Sequence, residues 1–197
     1  SGRRRAVHYR DGLMIALLAY RPLRLTNFAS MVLGVHLVQQ SRGWWLQFPA
    51  SGMKAKRLYE VAFPAALVPE LEHYLAVHRK VLLAGESGQI SPGTDALWVS
   101  EVGTMLESGA LARRIRKHTK EAFGASLPPH WFRDAAATSI AIENPRHVCD
   151  AHHILGNTLA MTEKHYNQAR SLEASRRHNA MLTSLRDSLN GRGEESR

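Results

Sequence analysis

The stretch TEKHYNQAR, residues 162–170, sets one phenol, Tyr166, among polar and basic neighbours. A tyrosine on a helix edge commonly keeps its ring half-buried and its hydroxyl in water. It becomes a nucleophile only where other groups activate the oxygen and hold something for it to attack. The chain offers candidates for both tasks. HWFR places His130 and Arg133 three apart, an interval that puts two side chains on one face of a helix. One exchanges protons and the other is a fixed cation. Arg24, in LRLTNFASM, stands just before a helical pattern, where a cation conflicts mildly with the helix dipole and an anion would be welcome. MKAKRLYEVAFP carries Lys54 and Lys56 in a turn that leads into a strand pattern. LGNTLAMTEKHY puts Asn157 after a Leu-Gly pair, nine residues before Tyr166. Each element also has an ordinary reading as a surface arginine, a solvated lysine turn or a chance H-x-x-R.

Order and spacing carry more than the single elements. Arginine ahead of an early helix, lysine between strands, H-x-x-R, then L-G-x and a tyrosine nine residues past x together resemble the catalytic domain of the tyrosine recombinase (phage integrase) family. RLTNFASM is similar to the first arginine box, and KAKRLYEVAFPAALVPEL to the lysine hairpin with its following helix. HWFRDAAATSIA is similar to the H-x-x-R box and ILGNTLAMTEKHYNQA to the tyrosine box. The resemblance runs from about residue 8 to 185. It implies that Tyr166 attacks, that Arg24 and Arg133 hold the scissile phosphate, that His130 supports it, and that Lys54, with Lys56 as competitor, serves the leaving group. It also implies metal-independent DNA cleavage and rejoining through a 3′-phosphotyrosine, with no cofactor.

Two positions depart from the pattern. Asn157 stands where the family usually has His or Trp; an amide can still donate. Asn27 stands three places after Arg24, where an acid is common, and this loosens the orientation of Arg24. His152 and His153, about one turn before Asn157, read as structural helix histidines.

The residue types suit the implied reaction. A tyrosine ester conserves the energy of the broken phosphodiester, because the phenol later leaves well; one exchange becomes two matched steps. Free phenol has a pKa of about 10, so two guanidiniums help twice: they offset charge on the phosphoryl oxygens and favour phenolate nearby. The planar guanidinium grips two oxygens at once. An ammonium can give its proton to the departing 5′ oxygen, as a general acid does. His130 either bonds the phosphate or accepts the phenol proton.

These side chains need a scaffold from distant parts of the chain. HYRDGLMIALLAY (8–20) predicts a buried helix stopped by Pro22, and LTNFASMVL (25–33) a second, with Thr26 or Asn27 near its start. VHLVQQ (35–40), WWLQF (44–48) and RLYEVAF (57–63) read as three strands, the last alternating Tyr59, Val61 and Phe63 against Leu58, Glu60 and Ala62. Helices are expected over 65–83, over 108–124 with Gly124 as its stop, over 130–142, from Asn144-Pro145 onward, and over 171–189. ALWVS (96–100) reads as a short extended piece. The expected fold is α+β, mostly helical: an integrase-type catalytic domain with a small three-stranded antiparallel sheet at one edge. That domain is expected over residues 8–189. Residues 1–7 read as a tag remnant and linker, residues 190–197 as a disordered tail, and the DNA-clamping N-terminal domain usual in the family as absent from this chain.

Composition agrees. Lys and Arg number 26 against 17 Asp and Glu, a formal charge of +9 on 197 residues. Such an excess points to a polyanion. Helix 108–124 concentrates it in Arg113, Arg114, Arg116, Lys117 and Lys120, which read as contacts to DNA backbone rather than to bases. A single cysteine, Cys149, excludes an internal disulfide and a Cys-based zinc site and fits a reducing setting. No apolar run reaches the roughly 20 residues of a membrane span, and no signal peptide is evident. The partner implied is double-stranded DNA, bound by a homo-tetramer that is a monomer or weak oligomer without it, in a cytoplasmic, nucleoid-associated, bacterial or phage context. Two alternatives stay open: a type IB topoisomerase-like enzyme, and a non-catalytic DNA-binding module that kept the fold.

Overall fold

A computed structural model describes residues 2–52, 58–84 and 94–143, together with Met181. The first helix, α1 (Gly2–Tyr20), begins earlier than the apolar pattern and buries Ala6, Val7, Leu13, Met14, Leu17 and Leu18 along one side. Each large apolar side chain taken fully out of water contributes roughly 1.5–3 kcal/mol, so this stripe anchors the core. α2 (Leu25–Ala29) is a short turn of helix rather than the nine residues expected. Beyond it the chain turns at Gly34 toward the sheet.

The three expected strands are present as β1 (Leu37–Gln40), β2 (Gly43–Phe48) and β3 (Tyr59–Ala62). They form one antiparallel sheet in the order β1-β2-β3, in register through Leu37↔Leu46, Leu46↔Val61 and Phe48↔Tyr59. The period-2 pattern holds: Leu46, Phe48, Tyr59 and Phe63 are buried, and Glu60 and Ala62 are exposed.

A continuous helical stretch follows a 3-10 turn at Ala65–Leu67. It comprises α3 (Val68–His73), a wide π segment (Tyr74–His78) and α4 (Arg79–Leu83). It packs against α1, where the Tyr9 ring stacks on His78 at 4.2 Å. Residues 94–99 are not a strand. They run through the core with single bridges, Val32↔Ala96 and Val99↔Met105, where Leu97 N–H donates to the Met31 carbonyl and Leu106 N–H to the Trp98 carbonyl, both at 2.8 Å, and side chains hold them further. Tyr74 Oη donates to the Leu97 carbonyl at 2.9 Å, and Arg79 reaches the carbonyls of Thr94 (2.6 Å) and Ala96 (2.9 Å).

The last described helices are α5 (Ser108–Phe123) and α6 (His130–Glu143). α5 ends at Gly124 with φ 72°, a left-handed conformation that glycine adopts without a Cβ penalty. The expected helices from Asn144 and over 171–189, and the tail 190–197, lie outside the described residues, apart from the helical Met181. Among the described residues no helix is long and apolar enough to cross a membrane.

Candidate functional site

The site starts from a proline. Arg21 N–H donates to the Leu17 carbonyl at 2.7 Å, the last bond of the helix, and Leu23 N–H donates to the Arg21 carbonyl at 2.7 Å across Pro22. Proline brings no N–H of its own, so α1 cannot continue and the chain folds sharply. Arg24 follows at the cap of α2, extended at φ −62° and ψ 141°, and its carbonyl accepts from Phe28 N–H at 2.8 Å. The Arg24 side chain makes no capping bond to this helix, and Thr26 and Asn27 lie within it. Its far end is fixed by buried Trp98, whose Nε1–H donates to the Phe28 carbonyl at 2.9 Å and whose ring stacks on Phe28.

The second half arrives on α6. After Gly124 the chain is pinned by buried Thr119: Leu127 N–H donates to its Oγ1 at 3.0 Å. Trp131 N–H donates to the Pro128 carbonyl at 3.0 Å, which opens the helix. His130 is its first residue and is exposed; Arg133 stands one turn further and is half-buried. Arg133 Nη1 donates to the Pro22 carbonyl. An arginine of α6 thereby holds the turn that presents Arg24, across a sequence separation of 111.

The two guanidiniums feel each other. Burial, and after it the charge of Arg24, push Arg133 down to about 10, with partial relief from Tyr59 and Asp134. Arg24 is also lowered, by burial. Both stay cationic at neutral pH. Behind them lies Tyr59 of β3, 4% exposed, its phenol pushed up to about 12 by burial although Arg21 and Arg133 pull the other way. Two like charges gathered in a partly desolvated place repel, and an oxyanion between them would turn that repulsion into attraction. This cluster can therefore hold a phosphate and stabilise charge developing on its oxygens.

Sequence reasoning named Arg24 and Arg133, and the structure brings them together. It places His130 on the same helix as Arg133, one turn away. Lys54, Lys56, Asn157 and Tyr166, together with His152 and His153, lie outside the described residues. On α5, Arg113, Arg116, Lys117 and Lys120 are exposed and spaced as one helical stripe. Lys117 has a loose ion pair with Glu121 at 3.9 Å.

Arg114 differs from these four. Its Nε donates to Asp11 Oδ2 at 2.6 Å and its Nη1 to Glu101 at 3.2 Å. Asp11, 1% exposed, also takes Arg10 Nη2 at 2.7 Å on its other oxygen and meets His118 Nε2 at 2.9 Å. Arg114 is thus part of a buried charge network. Arg21, Tyr59 and Asp11 escaped the sequence reading. Arg21 and Tyr59 were readable only as a basic residue before proline and an inward strand position, and Asp11 as an acid interrupting an apolar stripe.

No family model and no curated protein matches the chain. Solved structures do. The chain is similar to the XerH site-specific recombinase bound to palindromic difH substrate in a post-cleavage complex, at a TM-score of 0.65 and 15% identity, over 86% of this chain and 46% of that one. Against the pre-cleavage complex of XerH with difH the values are 0.63 and 16%, over 86% and 46%. Against the XerA recombinase they are 0.62 and 18%, over 89% and 61%. The chain spans about half the length of these proteins. The fold implied by the sequence resemblance is the fold observed: a mostly helical domain with a small three-stranded antiparallel sheet, similar to the folds of the XerH and XerA recombinases.

Proposed function

We propose that this chain is the catalytic domain of a site-specific DNA recombinase, which breaks and rejoins double-stranded DNA without a metal through a 3′-phosphotyrosine intermediate. The observation that carries this reading is the convergence of Arg24 and Arg133, from segments over a hundred residues apart, into one like-charged, partly buried pair. In this reading the pair grips the non-bridging oxygens of the scissile phosphate, and His130 supports the same phosphate. The Tyr166 oxygen attacks phosphorus, the P–O5′ bond breaks, and Lys54, or Lys56, protonates the departing 5′ oxygen. Asn157 donates a further hydrogen bond to the phosphoryl oxygens. Reversal with a different 5′ hydroxyl rejoins the strand.

The stripe Arg113, Arg116, Lys117 and Lys120 lies along DNA phosphates and sets position rather than sequence preference. Strand exchange takes place in a homo-tetramer assembled on DNA, in the cytoplasm at the nucleoid.

The test is a nicked suicide substrate, from which the cleaved fragment diffuses away and traps the covalent species on a denaturing gel. The wild-type chain is expected to form an adduct and Tyr166→Phe none. An adduct that persists in Tyr166→Phe overturns the assignment. DNA binding with no adduct in the wild type leaves the fold as a non-catalytic binding module.

A further inference from the structure

The turn that carries Arg24 is held from two sides. Arg133 grips it from α6 through the Pro22 carbonyl. From the opposite side Arg21, whose own backbone belongs to the turn, reaches out to the sheet. Its Nη2 donates to the Ala62 carbonyl of β3 at 3.3 Å, and its Nη1 to the Tyr20 carbonyl at 3.1 Å. Its Nε is buried and has no partner among the described residues. An arginine oriented only by solvent would not bury that nitrogen, because an unmatched buried donor is unfavourable. Its place is set by the two carbonyls. Tyr59 begins the same strand, is almost wholly buried, and packs edge-on against Phe48 with ring centres 6.0 Å apart. Its phenol interacts with the charges of both Arg21 and Arg133.

We propose that Arg21 is a positioning residue for the Arg24–Arg133 pair, fastening the arginine-bearing turn to β3, the strand that buried Tyr59 begins. Arg21 acts through the backbone it holds and touches no substrate. The proposal rests on the recombinase reading and adds one residue to it. Without Arg21 the turn keeps its grip on α6 but loses the one on β3. Arg24 can then swing relative to the phosphate, and misplacement of a catalytic group by about an ångström is enough to slow a reaction roughly a hundredfold.

The experiment measures single-turnover adduct formation on the suicide substrate, and DNA affinity by titration of the same duplex, for the full chain and for Arg21→Ala and Arg21→Lys. Arg21→Ala is expected to slow adduct formation roughly ten- to a hundredfold with DNA affinity within about twofold of wild type. Arg21→Lys, which keeps a donor able to reach one carbonyl, is expected to recover part of the rate. Cleavage by Arg21→Ala at the wild-type rate overturns the proposal. So does a fall in DNA affinity that matches the fall in rate, with no recovery in Arg21→Lys, because Arg21 would then contact DNA itself. A wild-type chain that forms no adduct sinks the recombinase reading instead, which separates the two failures.

Discussion

Two groups of cations in this molecule are arranged in opposite ways. Around Asp11, three basic side chains from two helices share one buried carboxylate: Arg10 and Arg114 donate to it, His118 meets it, and Arg10 Nη1 also donates to the Val99 carbonyl at 2.6 Å. Around Pro22, by contrast, burial and then the charge of Arg24 lower Arg133, burial lowers Arg24, and Asp134, which partly offsets this for Arg133, is exposed. The first group is complete within the fold and joins α1 to α5. The second gathers two guanidiniums in a partly desolvated place. The contrast separates arginines gathered on a carboxylate inside the fold from the pair that the recombinase reading assigns to the scissile phosphate, although nothing in the residue type distinguishes them.

Breaking the first group gives the largest expected effect. Asp11→Ala leaves Arg10 buried without its acid, and stability should fall by about 3–5 kcal/mol, read as a shifted denaturant midpoint with unchanged slope. Breaking the second group should show the reverse. Arg24→Ala is expected to melt no earlier than wild type yet lose about 100- to 1000-fold in adduct formation. Sulfate should raise the melting temperature of wild type more than that of Arg24→Ala, since an anion bound to the folded state adds to the general salting effect that both proteins share. An Arg24→Ala protein that is both unstable and inactive would erase the distinction.

A third group, the α5 stripe, sharpens it. Arg116→Ala combined with Lys117→Ala should flatten the salt dependence of DNA affinity by about 0.9 per lost phosphate contact, whereas Arg114→Ala should act on stability first. The smallest effect concerns pH. His78, buried against Tyr9, has its pKa lowered below 6.5 by burial, then by His73 and Arg5. The folded state thus prefers the neutral ring. The stability it contributes is complete above pH 6.5 and is lost as the pH falls below that value. His78→Phe should lessen the drop in melting temperature between pH 7 and about 5.

The elements that position the site were legible where local chemistry decides. Pro22 stops α1, Gly124 stops α5, and the alternation around Tyr59 sets the inward face of β3. The chemistry was legible as spacing, since H-x-x-R is one turn of α6. What stayed hidden was long-range. Arg114 and Lys117 look alike in the string ARRIRKHTK, yet one is diverted by a carboxylate 103 residues away. Arg21 reads as one more surface cation until β3 supplies a carbonyl 41 residues on. The segment ALWVS was read as a short extended piece, and it makes two single bridges, but the string did not show that its Leu97 and Ala96 carbonyls would take Tyr74 and Arg79. Partners of this kind follow from packing, and a single sequence does not display it.

The π segment Tyr74–His78 has a consequence of its own. In ordinary helix, residues five apart point to different sides, whereas the i→i+5 pattern of a wide turn stacks them. Tyr74 and Arg79 are five apart, and both fasten the strap 94–97. The surplus residue acts as a clasp. Deleting any one position between them would restore regular winding, rotate one of the two fasteners away, and loosen the strap on which Trp98 and, through it, the whole arginine turn depend.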